Sequence, residues 1–215
     1  VLNTLLSKQV DWIIYMGNNL TYELRAEIVS SKTPIVLAGT IDPEHVVASV
    51  NIDYKVATQE AIQKLIENGH KNIAFVTASL KNTVASDLRL EGYKSALSVA
   101  NIEFNDKFVY EIPMTYQCGE VLAEKLVQAG ITAAVVTDDE VAVGLINGLY
   151  DLGVKVPKDF EVISSNNSKL TKMTRPTLTT IAPPLYDIGA LAMRLLTKIM
   201  NKEEVVETEI TLPYK

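Results

Sequence analysis

One cysteine, two histidines and one tryptophan are all that 215 residues hold of those types. A single thiol, Cys118, excludes an internal disulfide and suits a reducing compartment, so a cytoplasmic location is expected. His45 and His70 lie apart and belong to no metal-ligand pattern. Glycine-rich phosphate loops and a Gly-x-Ser-x-Gly elbow are missing as well, so neither an enzymatic role nor a cofactor is expected. No apolar run is long enough to span a membrane, and Val1–Val10 reads as an amphipathic helix rather than a signal peptide. Positive charge is in deficit: 20 Lys and Arg against 26 Asp and Glu leave a net charge of −6, with no dense basic run. A surface that tracks nucleic-acid phosphates is therefore not expected of this chain.

The few titratable candidates have plain explanations. His70 stands between a helix and a strand, where it spaces or caps a turn, and His45 lies in a polar loop as a solvated residue. Cys118 falls among helical positions as a small core residue. The adjacent Asp138 and Asp139 do not face one target, although they stand at a strand end, where parallel sheets bind ligands.

What is present is a rhythm. Strands are predicted at Asp11–Met16, Pro34–Gly39, Ser49–Asp53, Asn72–Thr77, Lys107–Ile112, Thr132–Thr137 and Phe160–Ser164. Helical patterns fall between them, at about 2–9, 20–31, 55–68, 86–100, 116–129 and 139–152. Near-continuous apolar strands separated by helices imply an α/β fold with parallel sheets covered on both faces. Gly69, Gly130 and Gly153 each follow a helix, where a left-handed cap is needed. After an extended Arg175–Pro184 segment, a helix from about Tyr186 to Met200 carries Ile188, Leu191, Ala192, Leu195 and Ile199 on one side. A strand-like Val205–Leu212 closes the pattern.

Five separated elements resemble the LacI/GalR regulator family. They are the helix–Gly-His–strand joint Leu65–Phe75, Arg89-Leu90-Glu91-Gly92-Tyr93, Asp139-Glu140-Val141-Ala142-Val143-Gly144, Gly153–Ile163, and the Arg-Pro-x-Leu-Thr-Thr run from Arg175. Each is weak alone; in this order over nearly the whole chain they are specific. The stretch Tyr186–Lys198, with Leu2–Asp11, is similar to the carbon-catabolite branch of that family, whose cores bind the phosphocarrier protein HPr in its serine-phosphorylated form. The resemblance implies two periplasmic-binding-protein-like lobes, each a doubly wound, mainly parallel sheet, joined by crossovers near Asp53–Tyr54, Thr179–Ala182 and Val205–Thr208. Residues 1–53 and about 180–204 would form the amino-terminal lobe, and 54–179 with about 205–215 the other. The family's first strand, helix and strand are not in this chain, so that lobe is expected to be incomplete with an exposed sheet edge. DNA contact is expected only through a headpiece that this chain lacks. One departure stands out: Ser164-Ser165-Asn166-Asn167 replaces the family's usual Gly-Phe-Asp and a polar residue.

The resemblance puts Arg89 and Asp139 in the cleft between the lobes, with Asp53 either assisting or capping the hinge. An arginine fork and an aspartate acceptor suit a sugar or a small sugar phosphate; the bland alternative is a pair of ordinary ion pairs. On the Tyr186 helix, Tyr186, Ala190, Arg194 and Lys198 recur at i, i+4, i+8 and i+12 opposite the apolar stripe, with Asp187 and Leu191 beside them. Two cations one turn apart make a phosphoserine seat, or else a solvated helix end that complements the dipole. Met16 is either core or rim. Leu2, Leu5, Leu6 and Val10 fit lobe core or the contact of a homodimer. Three functions compete: a regulator core with serine-phosphorylated HPr as corepressor, a sugar-sensing core of the same family, and a solute-binding receptor of a transporter.

Overall fold

The computed structural model describes residues 2–17, 20–80 and 84–215. Its elements in chain order are α1 (Leu2–Ser7), β1 (Ile13–Tyr15), α2 (Tyr22–Ser30), β2 (Ile35–Ala38), β3 (Ser49–Asn51), α3 (Tyr54–Glu67), β4 (Ile73–Thr77) and α4 (Val84–Val99). Then come β5 (Val109–Glu111), α5 (Tyr116–Gln128), β6 (Ala133–Val136), α6 (Asp139–Asp151), β7 (Glu161–Ser165), α7 (Leu170–Met173), β8 (Thr179–Ile181), α8 (Leu185–Met200) and β9 (Glu209–Thr211). The chain divides into two compact units, one built mainly from residues up to Asp53 with Pro184–Pro213, the other mainly from Tyr54–Leu80, Ser86–Pro183 and Tyr214–Lys215.

The first unit holds a four-stranded parallel sheet in the order β1-β2-β3-β9. Strand alternation turns Ile13, Ile35 and Leu37 to one face, where they pack with Leu2, Leu20, Ile28 and Val47. Leu5, Leu6 and Val10 lie against the same cluster, so the amphipathic opening serves core packing. α8 packs across β2 and β3 and buries Ile188, Ala192, Leu195 and Leu196. Each such side chain contributes about 1.5–3 kcal/mol by leaving water. The loop before β3 is fixed by Asp42, whose carboxylate is fully buried and accepts from Arg25 Nε and from the amides of Glu44, Val46 and Val47 at 2.9–3.2 Å.

The second unit holds a five-stranded parallel sheet in the order β5-β4-β6-β7-β8. β4 and β6 are buried along their whole length, the pattern of strands covered on both faces. Ala74, Val76, Ala134 and Val136 pack under α5 and α6, while Phe75 stacks on Tyr93 of α4. α5 and α6 approach so closely that a methyl group on Gly144 would overlap the Tyr116 carbonyl, and one on Gly119 the Val141 carbonyl. Gly69, Gly130 and Gly153 take positive φ as expected. In each case the next residue's amide reaches back five residues, as with His70 to the Leu65 carbonyl at 3.1 Å.

Two placements differ from the sequence expectation. β9 pairs with β3, so Val205–Leu212 belongs to the first unit and not the second; its parallel partner lies more than 150 residues earlier, beyond any local signal. β8 pairs with β7, which keeps Thr180–Pro183 in the second unit. The chain therefore passes between units at Pro183–Pro184 and again at Pro213–Tyr214.

Candidate functional site

α8 begins at Leu185 behind Pro184, whose ring cannot donate the amide that a helix interior needs. Asp187 lies in the first turn, where a carboxylate complements the helix dipole, and Lys198 in the last. Opposite the buried stripe, Tyr186 is 87 % exposed, and Asp187, Ala190, Arg194 and Lys198 are exposed with it; Leu191 is half-buried. Twelve residues at about 1.5 Å per residue spread this face over roughly 18 Å. Arg194 and Lys198 make no ion pair with any described residue. They line a groove of about 230 Å³ whose far side is formed by Glu204–Glu207. Met16 follows β1 in the same unit and is 66 % exposed, so it is not a core residue.

Of the second set of candidates, Asp53 ends the first unit's opening segment, and Arg89 and Asp139 belong to the second unit. Asp53 is exposed immediately before α3. Arg89, on α4, lays its guanidinium 4.5 Å from the centre of the Tyr54 ring at the start of α3. Burial draws the Arg89 pKa below its ordinary value, opposed by the charge of Tyr54; burial also raises the Tyr54 hydroxyl. No carboxylate among the described residues pairs with Arg89. Asp139 has other partners. It is 3 % exposed, accepts from the Ser164 hydroxyl and from the Ser168 amide at 2.6 Å each, and thereby anchors the 164–168 loop to α6. Arg89 and Asp139 thus act on different groups. Asp138 caps α6, accepting from the Glu140 amide at 2.8 Å.

Both histidines have partners. His45 is exposed, as expected of a solvated residue, and its Nδ1 lies within hydrogen-bond distance of Glu209 Oε1, at 2.7 Å. His70 Nδ1 lies 2.8 Å from Thr132 Oγ1, which ties the two turns before β4 and β6 together. No cluster of three or more metal-ligating side chains and no helix long and apolar enough to cross a membrane occurs among the described residues. Two features lie beyond the sequence expectation: Tyr54 beneath Arg89, and Glu204–Glu207 facing α8. The first pairing joins two helices; for the second, the acidic run after the helix was the available signal.

Two parallel sheets flanked by helices, one in each unit, define an α/β core of two lobes. The description of a periplasmic binding protein-like domain matches residues 62–215. Catabolite control protein A of Streptococcus mutans is 50 % identical over 212 residues, covering 99 % of this chain and 63 % of that protein. The crystal structure of the transcription regulator CcpA of Lactococcus lactis superposes with a TM-score of 0.93 at 50 % identity, covering 100 % of this chain and 79 % of that one. The transcriptional regulator CelR in complex with cellobiose superposes at 0.88 with 26 % identity, covering 99 % and 66 %. The chain belongs to the periplasmic binding protein-like domain family, as a LacI-type core similar to catabolite control protein A. It spans 63 % of the length of that relative.

Proposed function

We propose that the chain is the effector- and partner-binding core of a bacterial transcription regulator of carbon catabolite control, and that serine-phosphorylated HPr docks on the exposed face of α8 as its corepressor. The observation that carries this is Arg194 and Lys198, one turn apart, exposed and without an ion pair among the described residues. A phosphoserine brings nearly two negative charges and three acceptor oxygens, which an arginine fork and a lysine satisfy far better than a neutral hydroxyl. Tyr186, Asp187, Ala190, Leu191 and Met16 would frame the contact. DNA would be held by a headpiece outside this chain, and the working protein would be a homodimer.

A small sugar phosphate at Arg89 is the second element of the proposal. It is favoured by a half-buried guanidinium that rests on an aromatic ring and pairs with no carboxylate among the described residues. Asp139 is already engaged, so it holds the neighbouring loop and Arg89 carries the contact. A free-sugar sensor, in keeping with the cellobiose complex of CelR, would need further hydroxyl acceptors near Arg89. Calorimetric titration with HPr, phosphorylated and unphosphorylated, tests the main proposal. Only the phosphorylated form should bind, and Arg194→Glu should weaken it by about 2–5 kcal/mol without loss of fold. Equal affinity of the wild-type chain for both forms would return α8 to a solvated helix face.

A further inference from the structure

α8 ends in a turn that folds the following acidic segment back along it. The Lys202 amide donates to the Ile199 carbonyl at 3.1 Å and the Glu203 amide to Lys198 at 3.0 Å, with Lys202 at a φ of 57°. The chain then runs beside α8 into β9, which pairing with β3 holds in place. The resulting groove of about 230 Å³ has unlike walls: Arg194 and Lys198 on one side, Glu204 and Glu207 on the other. Leu191, Leu195, Val205 and Ile210 supply apolar lining, and Val206 stands at its edge 93 % exposed. None of the four charged side chains makes an ion pair with a described residue, whereas Glu209 is already held by His45.

A seat for an anion alone gains nothing from two carboxylates on its facing wall, because like charges raise the cost of bringing a phosphate in. A segment that carries a phosphate and a cation close together meets both walls with opposite charge. We propose that the groove between α8 and residues 204–207 reads a phosphoserine with a neighbouring lysine or arginine and an apolar side chain. The phosphate goes to Arg194 and Lys198, the partner's cation to Glu204 and Glu207, and the apolar side chain to Val206. This rests on the docking of phosphorylated HPr proposed above and adds that the carboxylates attract that partner.

The sign of one effect tests it. The double variant Glu204→Gln/Glu207→Gln should bind serine-phosphorylated HPr about tenfold more weakly than wild type, and Glu204→Lys/Glu207→Lys more weakly still. Carboxylates that merely repel the phosphate would give tighter binding in both. All these positions are exposed, and an unchanged thermal midpoint checks the fold; the single variants serve if a double variant melts early. Unchanged or tighter binding by the glutamine variants, with Arg194→Glu still weak, overturns this inference and leaves α8 as the HPr site. A wild-type chain that does not distinguish phosphorylated from unphosphorylated HPr overturns both.

Discussion

The Ser164 hydroxyl donates to the Asp139 carboxylate at 2.6 Å inside the second unit, where Ser164 is fully buried. A glycine at this point would have no hydroxyl to give; the serine supplies a donor to a carboxylate that is itself buried. Ser164→Ala leaves Asp139 Oδ1 without that donor, and a buried acceptor without a partner costs about 1–3 kcal/mol. Chemical denaturation should show that loss in midpoint with no change in slope. An unaltered midpoint would mean that water or another group satisfies Asp139.

The Arg25–Asp42 pair predicts a pH dependence in the first unit. Burial pushes the Asp42 carboxyl up, but the Arg25 hydrogen bond and the amides of Val47, Glu44 and Val46 more than offset it, and its pKa lies below the ordinary value of 3.8. The folded state therefore holds the proton less tightly than the unfolded chain. The stabilisation is fully present above about pH 4 and declines as pH falls through the lowered folded value. Asp42→Asn should lower stability at pH 7 and flatten its decline below pH 4. Parallel urea curves for both proteins from pH 7 to pH 3 would contradict this.

How much of this was legible in the sequence depends on the range of each interaction. Gly69, Gly130 and Gly153 announce helix ends because the demand is local: a left-handed residue is needed wherever the helix stops. The buried strands β4 and β6 are equally legible, since four apolar residues in a row have few other uses. β8 and β9 lie within the extended Arg175–Pro184 and the strand-like Val205–Leu212, but which sheet each joins was not legible, because the pairing of three-residue strands is non-local. The α8 face was readable as a stripe from spacing alone. That Glu204 and Glu207 oppose it depends on the turn at Lys202, which lacks the glycine that would mark it.

That turn is testable directly. Lys202 pays conformational strain at a φ of 57°, where glycine has none. Lys202→Gly should stabilise the chain by roughly 0.5–1 kcal/mol, net of the extra freedom glycine gives the unfolded state. A thermal melt reads it. A lowered midpoint would show that the lysine side chain makes a compensating contact.

The α5–α6 packing gives a prediction of opposite sign. Gly144 has no room for a methyl group before the Tyr116 carbonyl, which is backbone and cannot rotate aside. Gly144→Ala must push the helices apart and should cost about 1–3 kcal/mol or more, against the gain that alanine brings to an exposed helix. A stability equal to wild type would mean that the helices separate without loss of packing.

Arg89 offers the sharpest separation of fold from function. A half-buried cation over the Tyr54 ring, with no carboxylate among the described residues to pair with, does little for stability: such a ring contact returns about 2 kcal/mol at most. If its use is to hold an anion, the neutral Arg89→Met, which keeps the unbranched stem, should leave the thermal midpoint unchanged or raise it. The same variant should lose the rise in midpoint that a sugar phosphate gives wild type, since a ligand stabilises only the state it binds. A variant that melts early by more than about 2 kcal/mol would mark Arg89 as a structural cation instead. Stability kept and ligand response lost is the expected pair of results, and only a binding role for the guanidinium produces both.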